Sequence, residues 1–250
     1  MRDIDVTTYT TKAIKAPDIA RQFFLALEKH GFILAKVGVD EPIRQPYTLE
    51  NAINAWTTEE DGCLKDGVLV GKTGSMSGSS TKPRFWVLNT WWECPDRVNL
   101  NWVSFHIAAG HIDKRKDAIV GLFKDMIRIF EAIYGYIGHD DTIHRQHVPG
   151  TLQKRMPGVF WYNYFGPKYV EFFTRDRIVS FPWFSIEEMN GGLITCLSES
   201  PKDLLASDEL EKKAKVHLGS ESFGDVDAYL QASSHNPLYR PEPRKVPELP

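Results

Sequence analysis

Apolar residues recur along this chain at two spacings, and the change from one to the other predicts where helices give way to strands. Over residues 17–30, Ile19, Phe23, Phe24 and Leu27 fall on one face at three- and four-residue intervals, which predicts a helix. Pro17 suits its first turn, and Gly31 the position just past its end. A short strand is expected over 31–37 and a short helix over 49–56. Residues 84–92, RFWVLNTWW, are apolar at both parities, the pattern of a central strand covered on both faces. Residues 97–108 change phase. Val98, Leu100 and Trp102 share one parity, and Val103, Phe105 and Ile107 the other, which predicts a bulge near Trp102 or burial of both faces. Cys94-Pro95-Asp96 reads as the hairpin turn between the two strands.

The widest apolar stripe runs over 113–137, through Ile119, Leu122, Phe123, Met126, Ile127, Phe130, Ile133, Tyr134 and Ile137. It predicts one long amphipathic helix, capped by Asp113 and ended by Gly138. By contrast, residues 57–82 show no period. Their Ser/Gly-dense part, 71–80, predicts a mobile surface loop. Residues 139–157 form a polar connection, at which a subdomain boundary is placed. A strand over 159–164 follows, then a short helix opened by Gly166-Pro167. Residues 178–186 read as a strand that Pro182 confines to an edge or bulge. Asn190-Gly191-Gly192 is a hairpin turn leading into a strand over 193–197. Helices are expected near 201–217, behind a Ser200-Pro201 cap, and near 223–231. The tail 233–250 has five prolines and no apolar period, so it is expected to lack regular structure. The fold class is α+β: a mostly antiparallel central sheet packed on the long helix, with C-terminal helices and a Pro-rich tail. Residues 1–232 form the domain and 233–250 the tail.

Composition narrows the function classes. The chain has 250 residues, 42% hydrophobic and 25% charged, as an ordinary globular protein does. A net charge of −3 and a pI near 6.2 argue against a nucleic-acid binder. The first residues carry early acids and no apolar core of a signal peptide, and no apolar run approaches a membrane span. Cys63, Cys94 and Cys196 are odd in number and widely spaced, so no disulfide framework is expected and the cytoplasm is the expected compartment.

Several segments suggest chemistry. VLVGKTGS at 68–75 resembles a phosphate-binding loop, but Gly67 lies one residue too near Gly71, position 66 is Asp, and no helix is expected next. No nucleotide or other cofactor is expected. His139, Asp140, Asp141, His144 and His147 are suitable metal ligands by type, yet lack the H-E-x-x-H spacing. No metal site is assigned, and a metal-assisted hydrolase built on this cluster stands as the alternative. Ser104 and His106 share a strand parity, but no G-x-S-x-G elbow with its strand–turn–helix context is present. Glu59, Glu60 and Asp61 form an acidic run, solvated by default and a docking patch for a basic partner on the functional reading. The Trp residues sit mostly in strands, where packing accounts for most of them; one or two suit an interface anchor.

The helix closing on Tyr134-Gly135 leads into a Gly158…Trp161…Tyr164-x-Gly166-Pro167 segment. A Gly191-Gly192 hairpin and a Glu199-Ser200-Pro201 exit follow. Over roughly residues 84–205 this order resembles the immunity protein 52 family and related type VI secretion immunity families of bacterial polymorphic toxin systems. The resemblance implies a cytoplasmic α+β protein that binds and neutralises a cognate protein toxin by occlusion, with no catalytic residues of its own. A structural or assembly subunit, self-associating as a homo-oligomer, is the third class.

Overall fold

The computed structural model describes residues 3–65, 68–95 and 97–249. These form two compact units, one up to Gly135 and one from Tyr136 to Leu249. The fold is α+β. In chain order the first unit contains β1 (Asp3–Thr10), α1 (Pro17–Lys29), β2 (Lys36–Gly38), β3 (Gln45–Pro46), α2 (Leu49–Thr57), β4 (Glu60–Lys65), β5 (Val68–Thr81), β6 (Arg84–Glu93), β7 (Asn101–Ala108) and α3 (Ile112–Phe130). Its strands lie in the order β1-β7-β6-β5-β2-β3, with β4 also paired to β5, and these pairings are antiparallel.

One face of this sheet carries Ile4, Val6, Phe85, Val87, Trp91, Val103, Phe105 and Ile107, all buried. The apolar stripes of α1, α2 and α3 supply the other half of the core: Phe23 and Phe24, Trp56, and Phe123, Ile127 and Phe130. Trp56 stacks on Phe130 with ring centroids 6.1 Å apart, and its Nε1 donates to the carbonyl oxygen of Ile14 at 2.7 Å. A buried indole thus keeps its one donor satisfied. Asp125 is the buried acid of α3. Burial pushes its carboxyl up, but hydrogen bonds from Lys29 and His30 and the charge of Arg128 outweigh this and hold it below the usual carboxylate range.

Several expectations are corrected here. Residues 71–80 are not a loop; they lie within the 14-residue strand β5. Its small residues have a packing reason. Gly74, Met76, Gly78 and Ser80 face the helices and are buried, while Ser75, Ser77 and Ser79 face outward. The phase change expected in 97–108 is absent. The strand begins at Asn101, so Val98 and Leu100 precede it, and its register with β1 and β6 is unbroken. Strand β6 is central but covered by helices on one face only. The long helix stops at Phe130, where Glu131 turns left-handed at φ 47° and the amide of Ala132 donates back to the carbonyl of Ile127. Cys63 and Cys94, 31 apart in sequence, are disulfide-bonded with Cα atoms 5.9 Å apart, contrary to the expectation from cysteine count. They close over Gly71, where a Cβ would meet the Cα of Cys94 at 2.9 Å. Cys196 is buried, and its thiol donates to the carbonyl oxygen of Ser198 at 3.0 Å. Asp96 of the expected hairpin turn lies outside the described residues; Asn99 bridges the amide and carbonyl of Cys94 beside it.

Strand β8 (Tyr134–His139) runs into the second unit, followed by α4 (Asp140–His144), β9 (Tyr162–Phe165), α5 (Pro167–Phe173), α6 (Arg175–Ser180), β10 (Ser185–Met189), β11 (Gly192–Cys196), α7 (Pro201–Ala206), α8 (Glu209–Leu218) and α9 (Val226–His235). The strand order is β10-β11-β9-β8. Asn190 and Gly191 both have positive φ, as a tight two-residue hairpin demands. The Ser200 cap is a full capping box with Asp203. Residues 178–186 are not one strand: Thr174 caps α6, whose chain ends before Pro182, and β10 begins only at Ser185. The expected helix 201–217 is two, broken where Ser207 turns extended. The expected tail starts too early, since residues 233–235 belong to α9; from Asn236 to Leu249 no helix or strand follows, and Arg155 holds the segment through its carbonyls.

A candidate protein-binding face

The face of the first unit's sheet turned away from its helices is built in rows. Antiparallel partners directly opposite each other point to the same side. Register therefore sets Ser79, Trp86, His106 and Asp5 in one row, and Ser77, Leu88, Ser104 and Thr7 in the next. Ser75, Thr90, Trp102 and Tyr9 make a third, and Glu60, Thr73 and Trp92 a fourth. Trp86, Trp92, Trp102 and Tyr9 are half-buried, whereas Trp91, of opposite parity, is wholly buried. Trp86 stacks on His106 with centroids 5.0 Å apart and an interplanar angle of 13°. The guanidinium of Arg84 lies 5.7 Å from the Trp86 ring and that of Arg97 5.3 Å from the Trp92 ring. Tryptophan, tyrosine and arginine are residue types enriched at protein–protein interfaces, whereas the Ser and Thr between them are not.

The acidic run divides across this geometry. Glu60 belongs to the Trp92 row. Asp61 has the other parity and pairs with Lys72 at 2.8 Å. Glu59 precedes β4 and pairs with Lys15, whose hydrogen bond holds the Glu59 carboxyl below its ordinary value. Lys15 also lies 3.5 Å from Glu93 and stands over Trp91. Glu60 makes no ion pair among the described residues. Of the three carboxylates, Glu60 is the one that shares the Trp92 row and has no ion-pair partner among the described residues.

Other suggested chemistry falls out differently. Ser104 Oγ lies 3.0 Å from His106 Nε2, and His106 Nδ1 lies 3.9 Å from Asp5, but Ser104 is 3% exposed and Trp86 covers the imidazole. A nucleophile there has no room for a substrate. His139 is buried, and its Nδ1 accepts from the amide of Asp141. Among the described residues no group of three His, Cys, Asp or Glu side chains converges to hold a metal ion. Lys72 lies inside β5 with no helix after it, so this segment makes no phosphate cradle; Asp66 and Gly67 lie outside the described residues. Sequence reasoning missed one buried pair in the second unit. Glu211, 1% exposed, accepts from Arg145 Nε at 2.8 Å, and burial nonetheless pushes its carboxyl up to about 7. The partners are 66 residues apart, and no local motif marks them.

No helix among the described residues is long and apolar enough to cross a membrane. No protein-family model and no curated protein matches the chain. Among solved structures it is similar to one described as Pseudomonas aeruginosa T6SS protein PA0821. The match has 14% identity and a TM-score of 0.54, and covers 98% of this chain and 88% of that one. At that identity the likeness is one of fold.

Proposed function

We propose that this chain is a type VI secretion-associated protein that works by stoichiometric binding of another protein, as an immunity protein does its cognate toxin. The open sheet face of the first unit is the binding surface. The observation that carries the reading is the placement of Trp86, Trp92 and Trp102 on the same uncovered face, with Glu60 at its margin. Indoles half-exposed in rows give large contact area at low entropic cost and are the residues most enriched at binding hot spots. The structural likeness to a T6SS protein supports the setting. Occlusion requires only that a surface of the usual interface size, about 800 Å² per partner, lie across the toxin's active site.

The test is co-expression of the neighbouring gene with and without this one, followed by affinity capture. Rescue from toxicity together with a one-to-one complex supports the proposal. A harmless neighbour and no complex overturn it, and a defined homo-oligomer formed through the same face would assign the surface to self-assembly instead.

A further inference from the structure

In the second unit the Pro-rich tail is held by a buried cation. Arg155 Nη2 donates to the carbonyl oxygens of Pro241 at 2.8 Å and Glu242 at 3.0 Å, and the Arg244 amide donates to the carbonyl of Lys154. Arg155 is 2% exposed, and its Nε has no acceptor among the described residues. Nor does it have a carboxylate within ion-pair distance among them. Its neighbour is another cation: burial and the charge of Arg244 both push the Arg155 guanidinium down. Buried charges are ordinarily paired, because leaving one uncompensated in low dielectric is costly. Backbone carbonyls solvate Arg155 in part but do not neutralise it.

Arg155 and Arg244 line a cavity of about 260 Å³ walled by Tyr229, Tyr239 and Pro241. The two tyrosine rings lie 6.4 Å apart. Asp225 reaches the same cavity, but its carboxylate is engaged as the cap of α9, accepting from the Ala228 amide at 3.0 Å. Glu242 is exposed at its mouth. A second cavity of about 340 Å³ shares Arg244; Glu221 lines it, as does Lys215, on which the carboxylates of Glu211 and Asp208 act.

We infer that this cleft binds an oxyanion, a phosphate or carboxylate group on a small aromatic body, with Arg155 and Arg244 taking the anion and Tyr229 and Tyr239 packing the ring. The exposed guanidinium of Arg244 can donate two parallel hydrogen bonds to such a group, while Arg155, with Nη2 taken by two carbonyls and Nε buried, contributes its charge. This assignment is independent of the partner-binding face in the first unit.

The test uses the full chain with phenyl phosphate, benzoate and inorganic phosphate as probes, and phenol and sodium chloride at matched ionic strength as controls. Thermal unfolding and calorimetric titration are read together. Phenyl phosphate or benzoate should raise the melting temperature beyond the chloride control, and phenol should not. Arg244→Gln, at an exposed side chain, should leave the apo melting temperature unchanged and weaken binding about tenfold. Arg155→Lys keeps the charge and, where folded, should weaken binding less than Arg244→Gln does. Stabilisation equal to that by chloride marks an adventitious ion only and overturns the proposal. Unchanged affinity in a folded Arg244→Gln variant overturns it equally.

Discussion

The indole of Trp91 fills the space that a Cβ on Gly74 would need, and its Nε1 donates to the carbonyl oxygen of Trp56 at 2.9 Å. Gly74 and Trp91 are direct cross-strand partners. The absence of a side chain at Gly74 is thus what lets a wholly buried Trp lie flat between the sheet and α2. Gly74→Ala must move the ring or the strand. A loss of about 1–3 kcal/mol from overpacking is expected, larger than the gain of roughly 0.5–1 kcal/mol that Ala brings over Gly in a strand. Ser75→Ala, on the outward face, should stay within about 0.5 kcal/mol. Urea unfolding of both variants checks this, and equal midpoints would contradict it.

Phe123 and Ile127 lie on the buried stripe of α3 and are wholly inaccessible. Truncating either to Ala removes core volume that rigid neighbours cannot refill. Each should cost about 2–5 kcal/mol. A melting curve unchanged in either variant would mean that the stripe is not the core.

What was legible in the chain followed strong periodicity. The helices at Pro17–Lys29 and Leu49–Thr57, the hairpin at Asn190-Gly191 and the Ser200 cap carry their own local signals. Strand β5 was not legible, because Gly and Ser punctuate loops as a rule and here serve a tertiary purpose: Gly inside under Trp91, Ser outside on the flat face. The end of α3 was hidden because Ile133, Tyr134 and Ile137 continue a helical spacing while also fitting a buried strand. The binding face was half-visible. Parity alone separates Trp86 and Trp92 from Trp91, but nothing in the chain says which parity the helices cover. Pairing across long separations, as for Arg145 with Glu211 or Cys63 with Cys94, leaves no local trace.

The Cys63–Cys94 bond joins residues 31 apart in sequence and closes a loop that contains all of β5. By loop entropy it should contribute about 3–4 kcal/mol. The Cys63→Ser, Cys94→Ser double variant should lose that stability under non-reducing conditions, while reductant should weaken the wild type alone. Identical unfolding of the two proteins without reductant would show that the bond does not form.

Glu211 makes stability depend on pH with a definite sign. Its carboxyl stands near 7 in the folded chain against an ordinary 4.5, because burial outweighs the opposing pull of Arg145, and Lys215 and Asp208 also face it. Between those values the native state holds a proton that the unfolded chain has released. Stability from this group is complete below 4.5 and is lost as pH rises through 7. The loss should be about 2–3 kcal/mol between about pH 5 and about pH 7.5, set against all other titrations. Glu211→Gln is neutral throughout and removes this component, so the wild-type minus variant difference should fall across the window. A difference that stays level would sink the assignment.

The binding face separates affinity from association rate. Trp86 and Trp102 stand in adjacent strands with no helix over them, so truncation to Ala removes contact area from the face and little from the core. Each should weaken the partner complex by about 2 kcal/mol or more, roughly thirtyfold, mostly through faster dissociation. Circular dichroism and the unfolding midpoint should stay close to wild type, which distinguishes a lost contact from a lost fold. Trp91→Ala should do the reverse, because that ring is wholly buried. Charge acts on the other rate. Glu60→Lys should slow association, and the effect should shrink at about 0.5 M salt as screening shortens the reach of the charge. Glu59→Lys and Asp61→Lys should slow it less, since Lys15 and Lys72 already offset those carboxylates. Surface plasmon resonance with the co-expressed partner resolves both rates. If Glu59 and Asp61 dominate while both Trp variants bind as wild type does, the partner uses the β4 edge instead, and the aromatic face has another task.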